Sequence, residues 1–125
     1  MSGVMIVDAD EARRRGIAAD VSVAGYAVAE ADNCSAALVR VAVASFALVI
    51  VEVVGAETDG ITLVKTLRDG RNAAKLLAYA GASLSMSAPL LAARAFGADG
   101  TLYHPFTRTE MLAAIARLLS LGGPS

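Results

Sequence analysis

The sequence predicts an α/β fold in which a parallel sheet is covered by helices on both faces. Short apolar runs rich in β-branched residues, such as residues 47–51, alternate with segments of helical periodicity. Carboxylates directly follow two of these runs, Asp8 after residues 4–7 and Glu52 after residues 47–51. Because ligand sites in open α/β sheets lie at the carboxyl ends of strands, both acids are candidate site residues.

Length and composition indicate one domain with a substantial core. The chain has 125 residues, of which 56% are hydrophobic and 18% charged, so we expect a single domain over residues 1–125, with a core at about 4–119 and a flexible tail at 120–125. A net charge of -1 gives no reason to expect nucleic acid or a membrane surface as partner. The single cysteine, Cys34, fits a reducing cytoplasm, and no signal peptide or membrane span is apparent. We expect a stand-alone cytoplasmic domain.

Capping and turn residues divide the chain into alternating elements. Asp10 is predicted to cap the first helix, Asn33 or Ser35 the second, and Thr107 forms a T-x-x-E capping box with Glu110. The predicted strands span residues 4–7, 26–31, 47–51, 75–80 and 99–103, and the predicted helices span residues 11–24, 36–45, 61–68, 88–96 and 108–119. Ser85 or Ser87, after a loop of small residues at 81–87, is predicted to cap the fourth helix.

This element order favours one topology. With right-handed crossovers, a chain of this length is expected to adopt a flavodoxin-like three-layer (βα)5 fold with strand order 2-1-3-4-5. That order brings Asp8 and Glu52 together and places His104 on the rim of the same edge. The consecutive arginines Arg13, Arg14 and Arg15 point in different directions on a helix, so we interpret them as a solvated face.

Several segments together resemble the receiver domain of two-component response regulators, over about residues 4–119. The matching segments are IVDAD at 6–10, LVIVE at 48–52, DG at 59–60, GADG at 97–100 and the Pro-Phe pair at 105–106. The resemblance implies that an aspartate ending the third strand accepts a phosphoryl group from a histidine kinase. It also implies that a pair of acids after the first strand holds Mg²⁺, and that a hydroxyl after the fourth strand and a lysine after the fifth contact the phosphoryl oxygens.

When the family's site residues are carried over position by position, this sequence has only part of them. Asp8 matches the first acid, but the second falls on Ala9, and the phosphoacceptor falls on Glu52. The hydroxyl falls on Ala80 (on Tyr79 with the alignment shifted by one residue), the lysine on His104, and the aromatic switch residue on Thr101, two residues before Tyr103.

These departures from the family pattern predict impaired phosphoryl transfer to Glu52. Glutamate moves its carboxylate by roughly 1 Å relative to aspartate, and such a displacement can cost on the order of 10²-fold in an in-line transfer. Histidine does not supply the fixed charge of a lysine, and alanine donates no hydrogen bond. Asp8 and Glu52, with Asp10 nearby, offer Mg²⁺ fewer acids than usual, so we expect weak Mg²⁺ binding at most and no required cofactor.

We therefore hypothesise a degenerate receiver that is not an enzyme and acts through protein–protein interaction. Its partner would be a histidine kinase, a phosphotransferase or an effector, and a weak homodimer through the last two helices is a further expectation. Glu52 is also hypothesised to mimic a phosphorylated state by approaching His104. The interface candidates lie on the last two helices and the fifth strand: Arg94, Tyr103, Thr107, Arg108, Met111 and Arg117.

Three alternatives remain open on sequence grounds. The first is a conventional receiver phosphorylated on Glu52 or Asp8. The second is a small-ligand-binding flavodoxin-like domain or an enzyme, although the sequence lacks G-x-G-x-x-G and P-loop motifs and nothing specifies a Ser83, His104 and Asp8 triad. The third is a DNA-binding regulator, for which no effector domain is present within these residues.

Overall fold

A computed structural model describes residues 3–80 and 87–121 of the chain. Within these ranges five strands alternate with five helices. The elements are β1 (Gly3–Val7), α1 (Glu11–Val23), β2 (Ala27–Ala31), α2 (Cys34–Val43), β3 (Leu48–Glu52), α3 (Gly60–Asp69), β4 (Lys75–Ala80), α4 (Ser87–Ala95), β5 (Gly100–Tyr103) and α5 (Arg108–Leu121). All strand pairs are parallel and their order is β2-β1-β3-β4-β5, so the predicted flavodoxin-like topology is confirmed.

Side-chain caps set the helix starts that the sequence predicted. Asp10 accepts a hydrogen bond from the Arg13 amide at 2.9 Å, and Thr107 and Glu110 exchange bonds of 2.7 and 3.0 Å in a capping box. Helix α2 begins two residues earlier than predicted because Asn33 provides its cap, accepting from the Ala36 amide at 2.8 Å. Residues 81–86 of the predicted loop, a cap at Ser85 and the tail beyond Leu121 lie outside the described residues. Ser87 is the first residue of α4 and not part of the loop, and residues 120 and 121 of the predicted tail end α5.

The sheet is buried on both faces, which explains the near-continuous apolar strands. Alternate residues of β1 and β3 point into two separate cores. Helices α2, α3 and α4 cover the face that contains Met5 and Val49, whereas α1 and α5 cover the face that contains Ile6 and Ile50. No helix in the described ranges is both long and apolar enough to cross a membrane.

An arginine secures the edge of the sheet at the amino ends of the strands. The Arg68 guanidinium donates to the carbonyl oxygens of Gly97 (2.9 Å), Asn72 (3.0 Å) and Ala74 (2.9 Å), and it forms an ion pair with Asp99. Gly97 has a φ of +121°, and a Cβ there would lie 2.3 Å from Cγ of Arg68. The GADG segment is therefore a structural feature that joins α3 to the loop before β5.

Replacing Arg68 should destabilise the fold. Arg68→Met leaves the Asp99 carboxylate and three carbonyl groups without this donor, so we expect the free energy of unfolding to fall by about 2–3 kcal/mol in urea titrations. Arg15→Met is the matched control, because the exposed Arg15–Glu11 pair should contribute less than about 1 kcal/mol. Equal losses in the two variants would contradict this account of the GADG segment.

Candidate functional site

The carboxyl ends of β1, β3 and β4 bring three polar side chains together. Val7 of β1 is aligned with Val51 of β3, so Asp8 and Glu52 follow on neighbouring strands, and Glu52 is itself aligned with Tyr79. Asp8 is 0% exposed and Glu52 is 2% exposed. The prediction that both acids share one edge of the sheet is confirmed.

Both carboxylate oxygens of Asp8 accept hydrogen bonds from inside the protein. Nε of Arg13 donates to Oδ2 at 2.6 Å and Nη2 donates to Oδ1 at 2.9 Å, so the guanidinium binds the carboxylate in a bidentate manner. The Tyr79 hydroxyl also donates to Oδ2, and the Asp10 amide donates to Oδ1 at 2.9 Å. This network ties the first turn of α1 and strand β4 to the end of β1.

The start of α1 explains why Arg13 reaches Asp8. Asp10 caps the helix, which makes Arg13 the third helical residue, and side chains of α-helices lean toward the amino terminus. Its hydrogen bond with the Asp8 carboxylate raises the pKa of Arg13. Burial, together with the charge of Asp8, raises the pKa of Tyr79, so its hydroxyl stays a proton donor at neutral pH.

The interpretation of the three arginines as a solvated face is wrong for two of them. Arg13 binds Asp8, and Arg14 donates to the Asp8 carbonyl at 3.0 Å and to Glu30 at 2.8 Å. Only Arg15 has a largely exposed side chain, at 68%. Consecutive helical residues do point in different directions, but the side chains of Arg13 and Arg14 both reach Asp8 at the end of β1.

Backbone amides hold the Glu52 carboxylate. Oε2 accepts from the Val54 amide at 2.6 Å and from the Gly55 amide at 2.5 Å, so the side chain folds back onto its own loop. A Cβ at Gly55 would lie 2.7 Å from Oε1, and one at Gly60 would lie 2.1 Å from the Glu52 carbonyl oxygen. Gly60 is therefore required for the close approach of α3 to the end of β3, and Gly55 leaves room for the Glu52 carboxylate where it lies.

The remaining positions of the predicted constellation do not engage Glu52. Ala80 ends β4 fully buried and brings no hydroxyl, and Thr101 is partly buried on β5. The His104 ring packs edge-on against Phe106 with centroids 5.8 Å apart, and its Nδ1 atom has no hydrogen-bond partner among the described residues. In the part of the chain that the structure describes, Glu52 and His104 therefore do not make the hypothesised contact.

The described residues do not fit Mg²⁺ in this arrangement. The Asp8 oxygens already accept from Arg13, Tyr79 and a backbone amide, and Oε2 of Glu52 accepts from two amides. Asp10 acts as a helix cap, and the hydrogen bond from the Arg13 amide lowers the pKa of its carboxyl. Among the residues that the structure describes, no group of three or more His, Cys, Asp or Glu side chains is placed to hold a metal.

Five of the six interface candidates are exposed, and two of these five also make contacts within the protein. Met111 is 2% exposed in the core, so the prediction that it contacts a partner is wrong. Thr107 forms the capping box, and Arg108 lies 3.9 Å from Asp20. Arg94, Tyr103 and Arg117 are exposed, and Tyr103 is 56% exposed.

Two residues of the site were not assigned a role from the sequence. Arg13 was missed, although an arginine three residues after a capping aspartate indicates a side chain that leans back toward the preceding strand. Thr58 is buried, and its hydroxyl accepts from the Ala9 amide at 2.8 Å while its carbonyl accepts from the Cys34 amide at 2.9 Å. Thr58 thus joins the loops after β1, β2 and β3, a contact that no local pattern indicates.

The raised pKa of Tyr79 predicts a dependence of stability on pH. A group whose pKa is higher in the folded state than its ordinary value of 10.0 stabilises the fold fully below pH 10, and this contribution is lost as the pH rises above that value. We expect the stability difference between wild type and Tyr79→Phe to be constant from pH 7 to about 9 and to shrink by up to about 1.4 kcal/mol per pH unit above about 10.

Urea titrations across this pH range check the prediction, with Tyr103→Phe at an exposed position as control. A difference between wild type and Tyr79→Phe that stays constant up to about pH 11 would mean that Tyr79 is not a buried donor to Asp8.

Comparisons with known proteins agree with this architecture. No curated protein sequence matches the chain. A receiver domain protein (CheY-like) from Methanospirillum hungatei superposes with a TM-score of 0.87 at 20% identity, covering 98% of this chain and 96% of that one. A two-component response regulator from Clostridium difficile superposes with a TM-score of 0.83 at 21% identity, covering 96% and 97% of the two chains.

Two further solved structures are slightly closer in sequence. The chemotaxis response regulator CheY4 of Vibrio cholerae is 26% identical, with a TM-score of 0.81 and coverage of 94% and 98%. A response regulator from Burkholderia pseudomallei, solved with a phosphorylated aspartic acid, a calcium ion and citrate, is also 26% identical, with a TM-score of 0.81 and coverage of 97% and 70%. The model of the response regulator receiver domain family matches residues 4–116, and the chain belongs to this family of two-component signalling domains.

Proposed function

We propose that this receiver domain does not run a phosphorylation cycle and signals through contacts between its surface and another signalling protein. The observation that carries the proposal is the state of Glu52, the residue at the phosphoacceptor position. Its Oε2 atom is bound by the amides of Val54 and Gly55 at 2.6 and 2.5 Å. These bonds hold the carboxylate on its own loop, and in-line attack on phosphorus depends on where the attacking oxygen is positioned.

Among the described residues, the positions that would assist a transfer carry other groups. Phosphoryl transfer depends on positioned donors and cations that stabilise charge on the phosphoryl oxygens. Ala80 offers no hydroxyl, the His104 ring packs on Phe106, and the cation nearest to Asp8 is Arg13. These differences act on the same transition state, so their effects on the rate should combine.

The surface formed by α4, β5 and the start of α5 is the proposed contact region. Leu91 and Tyr103 are exposed large side chains, at 66% and 56%, and Arg94 lies on the same helix as Leu91. Apolar and aromatic side chains beside an arginine are the composition of protein interfaces. A histidine kinase, a phosphotransferase or an effector in the cytoplasm is the proposed partner, and a weak homodimer is a second use of this surface.

The conformation of the loop between β3 and α3 also favours a domain that is fixed in one signalling state. The Glu52 carboxylate is bound by the amides of Val54 and Gly55 in the absence of any phosphoryl group. The domain would thus present one conformation of the loop between β3 and α3 at all times.

A phosphoaccepting receiver is the second candidate, because the related Burkholderia pseudomallei protein was solved with a phosphorylated aspartic acid. Incubation with acetyl phosphate and Mg²⁺, followed by mass spectrometry of the intact protein, distinguishes the two. We expect no phosphorylated species for wild type, because Glu52 is bound by amides and the aligned positions carry Ala80 and His104 in place of a hydroxyl and a lysine.

The matched control is the repaired variant Glu52→Asp, Ala80→Thr, His104→Lys, which restores the aspartate, hydroxyl and lysine that the family uses. A conventional receiver domain treated in parallel shows that the reagent is active. Stoichiometric, Mg²⁺-dependent addition of one phosphoryl group to wild type, abolished by Glu52→Gln, would overturn the proposed function.

A further inference from the structure

Arg13 places a cation at the acidic edge of the sheet, where Asp8 follows β1 and Glu52 ends β3. A fully buried carboxylate such as Asp8 is costly unless a positive charge and hydrogen bonds compensate it. Arg13 supplies both, through two parallel N–H bonds of 2.6 and 2.9 Å. The geometry matches the planar fork of a guanidinium to a carboxylate, which is a specific and well-ordered pairing.

Arg13 uses the oxygens that a divalent cation would need. Magnesium requires near-octahedral oxygen ligands at about 2.1 Å and is usually held by one or two protein carboxylates. Oδ1 of Asp8 accepts from Arg13 and the Asp10 amide, and Oδ2 accepts from Arg13 and Tyr79. Each oxygen therefore has two proton donors, and a metal would have to displace them.

The backbone after β1 is arranged for the arginine as well. Ala9 follows Asp8 and has no carboxylate, and its amide donates to the Thr58 hydroxyl at 2.8 Å. Arg14 fixes the same turn from the other side, since it donates to the Asp8 carbonyl at 3.0 Å and to Glu30 at 2.8 Å. The start of α1 is thus attached to both β1 and β2, and Arg13 is held over Asp8.

We infer that Arg13 is the resident cation of this site and that the domain stabilises its acidic edge without a divalent metal. The inference concerns the site of the proposed function, but it rests only on the Asp8 network and not on any partner. Arg13 is a positioning residue here: it neutralises Asp8 and keeps the loop after β1 in one arrangement beside Tyr79 of β4.

The test is thermal unfolding of Arg13→Met with 10 mM MgCl₂ or with EDTA. Methionine keeps an unbranched apolar stem but leaves Asp8 and Glu52 buried without a counter-cation, so divalent ions should bind there. At a metal concentration about tenfold above Kd, Tm should rise by about 3–6 °C, whereas the wild-type Tm should not change.

Two variants control for a purely structural effect. Arg15→Met removes the neighbouring arginine from an exposed pair with Glu11, so its Tm should not respond to Mg²⁺. Adding Asp8→Asn to Arg13→Met removes the charge that attracts the metal, so this double variant should lose the Mg²⁺ response and recover part of the lost Tm.

Two outcomes of this experiment would overturn the inference. One is a rise in the wild-type Tm with Mg²⁺ that Asp8→Asn abolishes. The other is a folded Arg13→Met protein whose Tm is the same in MgCl₂ and EDTA. If Arg13→Met does not fold, amide NMR spectra of wild type with Mn²⁺ decide: unchanged Ala9 and Val53 signals support the inference, and selective broadening of both overturns it.

These results are separable from the proposed function. A wild-type protein that binds Mg²⁺ at Asp8 but takes up no phosphoryl group contradicts the inference on Arg13 alone. A wild-type protein that becomes phosphorylated contradicts the proposed function, whichever cation Asp8 holds.

Discussion

The ion pair between Asp8 and Arg13 is the interaction on which the arrangement of this site depends. The carboxyl ends of β1 and β3 place two acids in the interior, where neither can remain charged without compensation. Arg13 compensates Asp8 directly, and this fixes the first turn of α1 over the sheet. Tyr79 then joins β4 to the same carboxylate, so helix and sheet share one polar network.

The second acid is stabilised by a different physical means. Glu52 has no cation among its described hydrogen-bond partners, and two consecutive amides hold its carboxylate. That requires the loop after β3 to pass very close to the side chain, which Gly55 and Gly60 permit because neither carries a Cβ. The chain thus keeps the fold of a receiver domain, whereas the groups around Glu52 pack the core and compensate buried charge.

The caps at Asp10 and Thr107 were predictable because capping depends on local interactions, and they are confirmed. The strand order followed from the alternation of elements and right-handed crossovers, and it correctly places Asp8 and Glu52 at the ends of neighbouring strands. The direction of the Arg13 side chain was not predicted, because it depends on where the end of β1 lies relative to α1. Met111 was misassigned because helical periodicity left open which face of α5 meets the core.

A double-mutant cycle between Asp8 and Arg13 tests the central claim most directly. The unfolding free energies of wild type, Asp8→Asn, Arg13→Met and the double variant would be measured in urea at neutral pH. The account predicts a coupling energy of about 2–3 kcal/mol, because removing Arg13 alone leaves a buried charge unpaired. A coupling energy below about 0.5 kcal/mol, as for an exposed ion pair, would contradict it.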